Sequence, residues 1–527
     1  MLITEILAQN AIRHSEKTAL VERIPDVGKR SEITWREFDN QANSFANALI
    51  NIGISKGDKV VQLMTNCIEW LPVYFGILKT GAWVVPLNFR FEADKIELCT
   101  QTAEADVFVF GEEFIERVNS VKSALDQFVK TYIFAGPEAK RPEYALPLAD
   151  FLTSENNSCP VVPLKRDDEA GLYFTSGTTG TPKAVLLTHR NLEFSCEVEN
   201  MHHQQTHEDN FLCIPPLYHT GAKMHWFGNF IVGAKSVILK GVNPKWILEA
   251  VSEEKITIVW LLVPWAHDIL IALENNEIQL DDYETDQWRL MHIGAQPVPP
   301  SLIEKWKKVF PNHKYDTNYG LTEATGPGCV HLGMDNIHKT GAIGQPGHGW
   351  ECEIVNTEMD PLPGGETGEL IVKGAGVMKE YYRNPEESQK VLSNGWLRTG
   401  DMARKDENGF IWLVDRKKDL IITGGENIFP VEIENFLITN DNIHDVAVIG
   451  IPDRRLGEIV AAIIQVKNGK ELSIDDLQLF CEQLPRYKRP RQIFFDDVPR
   501  NPTGKIEKPK LRRKYIDGNR DFNKLKK

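Results

Sequence analysis

No CxxC pair, no internal repeat and no low-complexity tract occurs in this chain of 527 residues. The eight cysteines, Cys67, Cys99, Cys159, Cys196, Cys213, Cys329, Cys352 and Cys481, stand singly. That scatter excludes a paired-cysteine motif and is expected of reduced core residues in a cytosolic protein. Long apolar runs are missing too. The longest, around Val73 to Leu87, is broken by Lys79 and is too short to span a bilayer. The first twenty residues hold no such run and are interrupted by Glu5, so they do not read as a signal peptide. Positive charge is in deficit: 60 Lys and Arg face 74 Asp and Glu, a net charge of -14. An acidic balance argues against a nucleic-acid binder. These absences point to a cytoplasmic protein, with peripheral membrane contact left open.

What is present is the composition of a soluble globular chain, too long for one ordinary core. The opening segment reads as an amphipathic helix, followed by a turn and the strand-like Ser31–Thr34. A helix is expected over 35–52, a strand over 59–64, a helix over 68–80 closed by Gly81, and a strand over 83–87. Strands alternating with helices indicate α/β units around a largely parallel sheet, continuing to about Phe310. From 341 to about 416, frequent Gly and Pro and short strands such as 368–372 mark a small β-rich subdomain. A fresh α+β unit follows, with helices near 431–438 and 474–484 and strands near 446–449 and 459–466. The fold class expected is therefore α/β: an N-terminal domain over 1–416 and a small C-terminal domain over 417–527, joined by an exposed charged linker at Lys417–Lys418.

The segment Thr175-Ser176-Gly177-Thr178-Thr179-Gly180-Thr181-Pro182-Lys183 concentrates hydroxyls, two glycines and a lysine. Glycines let backbone N–H groups approach phosphate oxygens, and the hydroxyls and Lys183 add donors and charge. The spacing does not fit a Walker A loop, and an apolar strand on each side makes a strand–loop–strand hairpin rather than a strand–loop–helix unit. Between Pro485 and Lys514 eleven Lys and Arg face only Asp496, Asp497 and Glu507. That run is either a solvated basic face or an anion site.

The hydroxyl-rich segment resembles the phosphate-loop signature of the adenylate-forming superfamily, which comprises acyl-CoA synthetases, carrier-protein adenylation domains and firefly-type luciferases. Further signatures follow in the same order along essentially the whole chain: Asn318-Tyr319-Gly320-Leu321-Thr322-Glu323, Trp396 to Asp401, Asp415 to Asp419, Gly424 to Glu434, and Pro499 to Ile506. The resemblance implies an AMP-forming acid–CoA ligase that uses ATP, Mg2+ and coenzyme A. It implies that Thr175, Ser176, Gly177, Thr178, Thr179, Gly180 and Lys183 enclose the β- and γ-phosphates and that Thr322 donates to phosphate. Glu323 would hold Mg2+, whose preference for oxygen suits a carboxylate. Tyr319 would stack on adenine, with Gly294, Ala295 and Gln296 contacting the base and Asn318 and Gly320 completing that wall. Asp401 and Arg416 would take the ribose hydroxyls.

By the same resemblance Lys505 reaches the carboxylate and the α-phosphate during adenylation, and His219 gates and positions the acid. Gly424 and Gly425 would let the pantetheine arm pass, while Tyr487, Arg489 and Arg491 would bind the nucleotide end of coenzyme A. Leu456 departs from the tryptophan of many relatives, which puts an adenine-stacking contact there in doubt. Relatives build the acid pocket after the His219 motif and around Gly294 and Tyr319. There Lys223 replaces a bulky apolar residue, and it either pairs with a polar or acidic substrate tail or snorkels to a surface. An enzyme loading a carrier-protein thiol and a non-catalytic nucleotide binder are the alternative readings.

Overall fold

The computed structural model describes residues 1–153, 156–175, 182–294, 298–416, 419–423, 426–500 and 505–517. Contacts divide the chain into two compact units, one of 1–340, 344–352 and 372–397, the other of 341–343, 353–371 and 398–527.

The helix Trp35–Asn51 shows how the first unit takes shape. Thr34 and Glu37 form a reciprocal capping box: the Thr34 hydroxyl accepts from the Glu37 amide, and the Glu37 carboxylate accepts from the Thr34 amide at 2.7 Å. Trp35, Phe38, Ala42, Phe45, Ala46 and Leu49 then recur at helical spacing and are buried. Two sheets dominate the unit. One has eight strands in the order Glu380–Tyr381, Lys183–Thr188, Glu169–Thr175, Trp83–Pro86, Lys59–Leu63, Val107–Gly111, Thr131–Ala135, Ala145–Pro147. Its inner strands are parallel and nearly continuous apolar runs, as strands covered on both faces must be. Phe108, Phe110, Val118 and Tyr132 lie in its core.

The other sheet has seven strands, in the order Lys314–Asp316, Leu290–Gly294, Ile258–Leu262, Asn210–Cys213, Lys235–Leu239, Thr18–Ile24, Lys29–Thr34. The strand Thr18–Ile24 corrects the sequence reading, which passes over it as a turn. Its parallel partner, Lys235–Leu239, lies more than 200 residues away, and no local pattern announces that pairing. A short antiparallel sheet of Asn318–Leu321, Gly326–His331 and Gln345–Pro346 completes the unit.

The second unit contains the antiparallel pair Trp396–Lys405 and Ile411–Arg416 from residue 398 onward, and a five-stranded C-terminal sheet. In that sheet Ile443–Asp453 pairs with Gly457–Val466, longer strands than the sequence reading gives. Alternation runs through both: Val446, Val448, Val460, Ala462 and Ile464 face one core, and Ala447, Ile449, Ile451, Ala461 and Ile463 face another. The helix expected over 474–484 runs Ile474–Phe480 and tightens into a 3-10 turn over Cys481–Gln483. Six cysteines are buried as expected, but Cys159 is exposed and Cys67 only partly covered. Among the described residues no helix is long and apolar enough to cross a membrane.

Candidate active site

The hairpin read from the sequence forms in the first unit: Glu169–Thr175 runs antiparallel to Lys183–Thr188, with Thr175 opposite Lys183. Ser176, Gly177, Thr178, Thr179 and Gly180 lie outside the described residues, as do Ala295, Gln296, Lys417, Lys418, Gly424 and Gly425. After the hairpin the chain enters the helix His189–His203, started by a Thr188–Asn191 capping box. The loop therefore joins two strands, and no helix begins at it.

Lys183 and Glu323 converge on Tyr381, a residue that the motifs do not include. The strand Glu380–Tyr381 adds to the sheet edge with Tyr381 opposite Val185, so its ring lies diagonally beside Lys183. Lys183 Nζ sits over that ring, 4.8 Å from its centre, and the Tyr381 hydroxyl donates to Glu323 Oε1 at 2.8 Å. Burial and the neighbouring Glu323 carboxylate push the phenol well above its usual range, so it remains a donor at neutral pH. Lys183 Nζ also meets Glu387 Oε2 at 2.5 Å. Its hydrogen bond, together with Lys390, lowers the Glu387 carboxyl to about 2. Glu387 occupies the first turn of the helix Pro385–Val391, where the helix dipole favours an anion. Lys183 is thus held by an acidic partner that a polyphosphate would have to displace.

Glu323 stands in the 3-10 turn Thr322–Ala324, which ends at Thr325 in the left-handed region, and its carbonyl accepts from the Met378 amide at 2.8 Å. Thr322 and Gly320 are partly exposed beside it, whereas Tyr319 is buried. Gly294 ends the strand Leu290–Gly294. A Cβ there would lie 3.7 Å from Trp260 Nε1 and 3.9 Å from the Asn318 carbonyl, which places Gly294 against the Asn318–Glu323 segment.

His219 is the N-cap of the helix Thr220–Phe230, and its Nδ1 accepts from the Gly221 amide at 3.1 Å. In the neutral ring the proton therefore sits on Nε2. Gly221 links His219 to the floor of this wall: its carbonyl faces His225 Nδ1, and His225 Nε2 lies 3.0 Å from Asn318 Nδ2. His219, Gly294 and Asn318 are so brought together. The Asn318 side chain points into a buried group around Glu199 and His225.

Lys223 does not snorkel. It is fully buried, with Nζ 4.4 Å from the centre of the Tyr173 ring, 4.8 Å from Tyr74 and 5.6 Å from Trp70. Its amine has no hydrogen-bond partner among the described residues, and burial holds its pKa well below the usual lysine range.

In the second unit Asp401 and Arg416 are opposite residues of paired strands. Gly400, at φ +74, gives the strand its bend beside Asp401. Lys505 precedes Ile506, which forms an antiparallel bridge with Arg500. The basic run is less of an anion site than its linear count implies. Lys488 pairs with Glu432 at 2.6 Å, Arg500 with Asp445 at 2.6 Å, Lys508 with Glu434 at 2.9 Å and Arg512 with Asp419 at 2.8 Å. Arg489 donates to the carbonyls of Leu484 and Glu482 at 2.8 and 2.6 Å. Tyr487 and Arg491 are exposed, and Arg491 forms no ion pair among the described residues.

Comparison with known proteins finds relatives along the whole chain. The family profile described as AMP-binding enzyme matches residues 7–382, and that of the AMP-binding enzyme C-terminal domain matches residues 432–505. A long-chain-fatty-acid–CoA ligase of Mycobacterium tuberculosis is 30% identical, covering 97% of this chain and 98% of its own. A feruloyl-CoA synthase of an Amycolatopsis species is 31% identical, covering 92% and 94%. An anthranilate–CoA ligase solved with anthranoyl-AMP superposes with a TM-score of 0.89 at 26% identity, covering 98% of each chain.

Proposed function

Because this chain belongs to the AMP-binding enzyme family and is an acid–thiol ligase of the acyl-CoA synthetase kind, we propose that its described residues divide two half-reactions between them. In the first, a carboxylate oxygen of the acid attacks the α-phosphorus of ATP, the bond to the β,γ-unit breaks, and pyrophosphate leaves. In the second, the thiol of coenzyme A loses its proton to solvent, its sulfur attacks the acyl carbon, the thioester forms, and AMP departs with the bonding pair.

The observation that carries the reading is the meeting of Lys183 and Glu323 on Tyr381. It supports one end of a triphosphate site, with a cation for the β- and γ-phosphates and an oriented carboxylate beside it. Glu323 offers the oxygen donor that Mg2+ prefers, and the cation would neutralise phosphate charge as pyrophosphate leaves. Lys183 leaves Glu387 for phosphate oxygens. Thr322 donates to phosphate, and His219, with its proton on Nε2, hydrogen-bonds the acid's carboxylate and sets its approach. Lys505 brings a second cation to the carboxylate and the α-phosphate. Asp401 and Arg416 hold the ribose, and Tyr319, Gly320, Asn318 and Gly294 form the wall for the base. Rotation of 417–527 about Lys417–Lys418 exchanges Lys505 for Gly424–Gly425 between the half-reactions. Arg491 and Tyr487 meet the nucleotide end of coenzyme A. On the same reading we assign the enzyme to the cytoplasm.

The test is acid-dependent release of pyrophosphate across fatty, branched, alicyclic and aromatic acids. Hydroxylamine would trap the adenylate when coenzyme A is omitted, and thioester would appear when it is added. ATP binding without acid-dependent pyrophosphate release contradicts the reading. So does pyrophosphate release with no thioester to free coenzyme A.

A further inference from the structure

A group of side chains that acid activation does not use is enclosed in the first unit by the helix His189–His203 and the strands Leu290–Gly294, Lys314–Asp316 and Gly326–His331. His203, His292, Asp316 and His331 are each at most 2% exposed. We propose that these four residues bind a zinc-class divalent cation through His203 Nε2, His292 Nδ1, His331 Nδ1 and Asp316 Oδ2.

Geometry comes first. Asp316 Oδ2 lies 2.8 Å from His203 Nε2, 3.6 Å from His331 Nδ1 and 3.9 Å from His292 Nδ1, and the two nitrogens of His203 and His292 are 3.1 Å apart. Tetrahedral zinc with bonds of about 2.0–2.1 Å separates its ligand atoms by about 3.3 Å. These four spacings bracket that value, and one donor atom each from His203, Asp316 and His331 lie within 4.8 Å of one another, so the ion needs rotamer shifts that bring His292 to the same centre. Nitrogen-rich donors select zinc over Mg2+ or Ca2+.

Proton placement points the same way. His225 Nδ1 donates to the Gly221 carbonyl, which leaves His225 Nε2 to accept from His292 Nε2 at 2.8 Å. The lone pair of His292 is then on Nδ1, toward the group. His203 Nε2 donates to Asp316 Oδ2 at 2.8 Å and Nδ1 faces Glu199 Oε1 at 2.8 Å, so an ion would take the place of the Nε2 proton and leave Glu199 as the outer partner. Asp316 Oδ1 accepts from the Gly333 amide at 2.8 Å, leaving Oδ2 for the ion. These are the outer partners that metal-binding histidines and carboxylates use. His331 is the exception that needs explaining: both of its ring nitrogens are buried with no hydrogen-bond partner among the described residues, and its ring stacks on His202 at 3.8 Å. Such orphaned groups are rare in folded proteins, and a metal bond removes half of this one.

Charge balance agrees. Glu199 and Asp316 are fully buried carboxylates that need two positive charges nearby. A divalent cation would supply both; without one, His203 lies between the two carboxylates, which raise its pKa. The site has four protein ligands, so its role is structural: it ties one helix to three strands under the wall that carries Asn318.

Metal analysis of the full chain, expressed in zinc-supplemented medium and purified without chelator, is the test. One zinc per chain is expected. Chelated protein reloaded with Co2+ should show the visible absorption of a tetrahedral nitrogen–oxygen site. His331→Ala and His292→Ala should each lose zinc and the cobalt spectrum, Glu199→Gln should weaken retention about 10–100-fold, and His207→Ala, an exposed change, should retain both. Unloaded wild-type protein that takes up no Co2+ in tetrahedral form overturns the proposal, whatever the variants do. Equal metal in wild type, His331→Ala and His292→Ala also overturns it, because the metal is then adventitious.

Discussion

Replacing Tyr381 by Phe removes one oxygen and keeps the ring. The ring remains beneath Lys183, and only the 2.8 Å hydrogen bond to Glu323 Oε1 is lost. The group losing its donor is an acid next to the expected phosphate and cation site. Hydrogen bonds to charged groups contribute roughly 1.5–3 kcal/mol. Glu323 is only partly buried, so water recovers some of that, and the lower end applies. A loss of about 1.4–2 kcal/mol corresponds to about 10–30-fold in a rate or an affinity. The loss belongs to adenylation, because a carboxylate no longer held in place is a poorer ligand for a cation on the phosphates. Acid-dependent pyrophosphate release should therefore fall about 10–30-fold in kcat/KM for ATP, with a higher Mg2+ concentration at half-maximal rate. Thioester formation from supplied acyl-adenylate should change little. Melting temperature should stay close to that of the parent, since the ring still packs. A Tyr381→Phe enzyme with unchanged Mg2+ dependence and kcat/KM within twofold of the parent would refute the reasoning that Tyr381 orients Glu323 for the reaction.

Lys505→Ala should slow adenylation by about 10²–10³ while thioester formation from supplied adenylate suffers much less, because one preorganised cation is removed from the first step alone; equal losses in both half-reactions would contradict the assignment. Arg491→Ala should raise the KM for coenzyme A in a salt-sensitive way and leave pyrophosphate release intact. Arg489→Ala should instead lower the melting temperature, because that guanidinium holds the carbonyls of Leu484 and Glu482. Lys223→Met should raise the melting temperature at pH 7 by at least about 2 °C. The unfolded lysine titrates at about pH 10.4 and burial holds the folded amine well below that, so the lysine destabilises the fold near neutrality, a cost that methionine avoids. The cost falls as pH rises, and the advantage of methionine should shrink between pH 7 and 10. A difference that does not vary with pH would mean that Lys223 is charged among its aromatic rings.

The legible parts of the site are those whose chemistry lies in consecutive residues. The hydroxyl-rich loop, the Asn318–Glu323 segment and the Pro499–Ile506 segment each combine turn residues with donors inside one short window, and a window is all that sequence reading sees. The α/β alternation is legible for the same reason: apolar runs such as Val107–Phe110 and the periodic face of Trp35–Asn51 are local. Tyr381 and Glu387 are not, because they reach Lys183 only through pairing of a two-residue strand some 200 positions later. The histidines are harder still. His203, His225, His292 and His331 come from two helices and two strands, and no spacing relates them.

Charge illustrates the limit of a local count most directly. Eleven cations against three acids over 485–514 describe a strongly basic segment only if the rest of the protein is ignored. Folding brings Glu432, Glu434, Asp445 and Asp419 onto Lys488, Lys508, Arg500 and Arg512. Lys508, nearly buried, shows what these pairs are for. Burial alone would lower its pKa, but Glu434, Asp415 and Asp419 raise it, so the lysine stays charged and pairs with Glu434 in the field of the two aspartates. A cation committed to such a site cannot also bind phosphate without leaving its carboxylates unpaired in a poorly solvated place, which typically costs several kcal/mol. The candidates for coenzyme A therefore narrow to cations that fold outward without an acid, and Arg491 is the clearest of these in the segment. The basic run is mainly a set of internal ties that shape the C-terminal unit, and its capacity for phosphate rests on the few positions the fold leaves over.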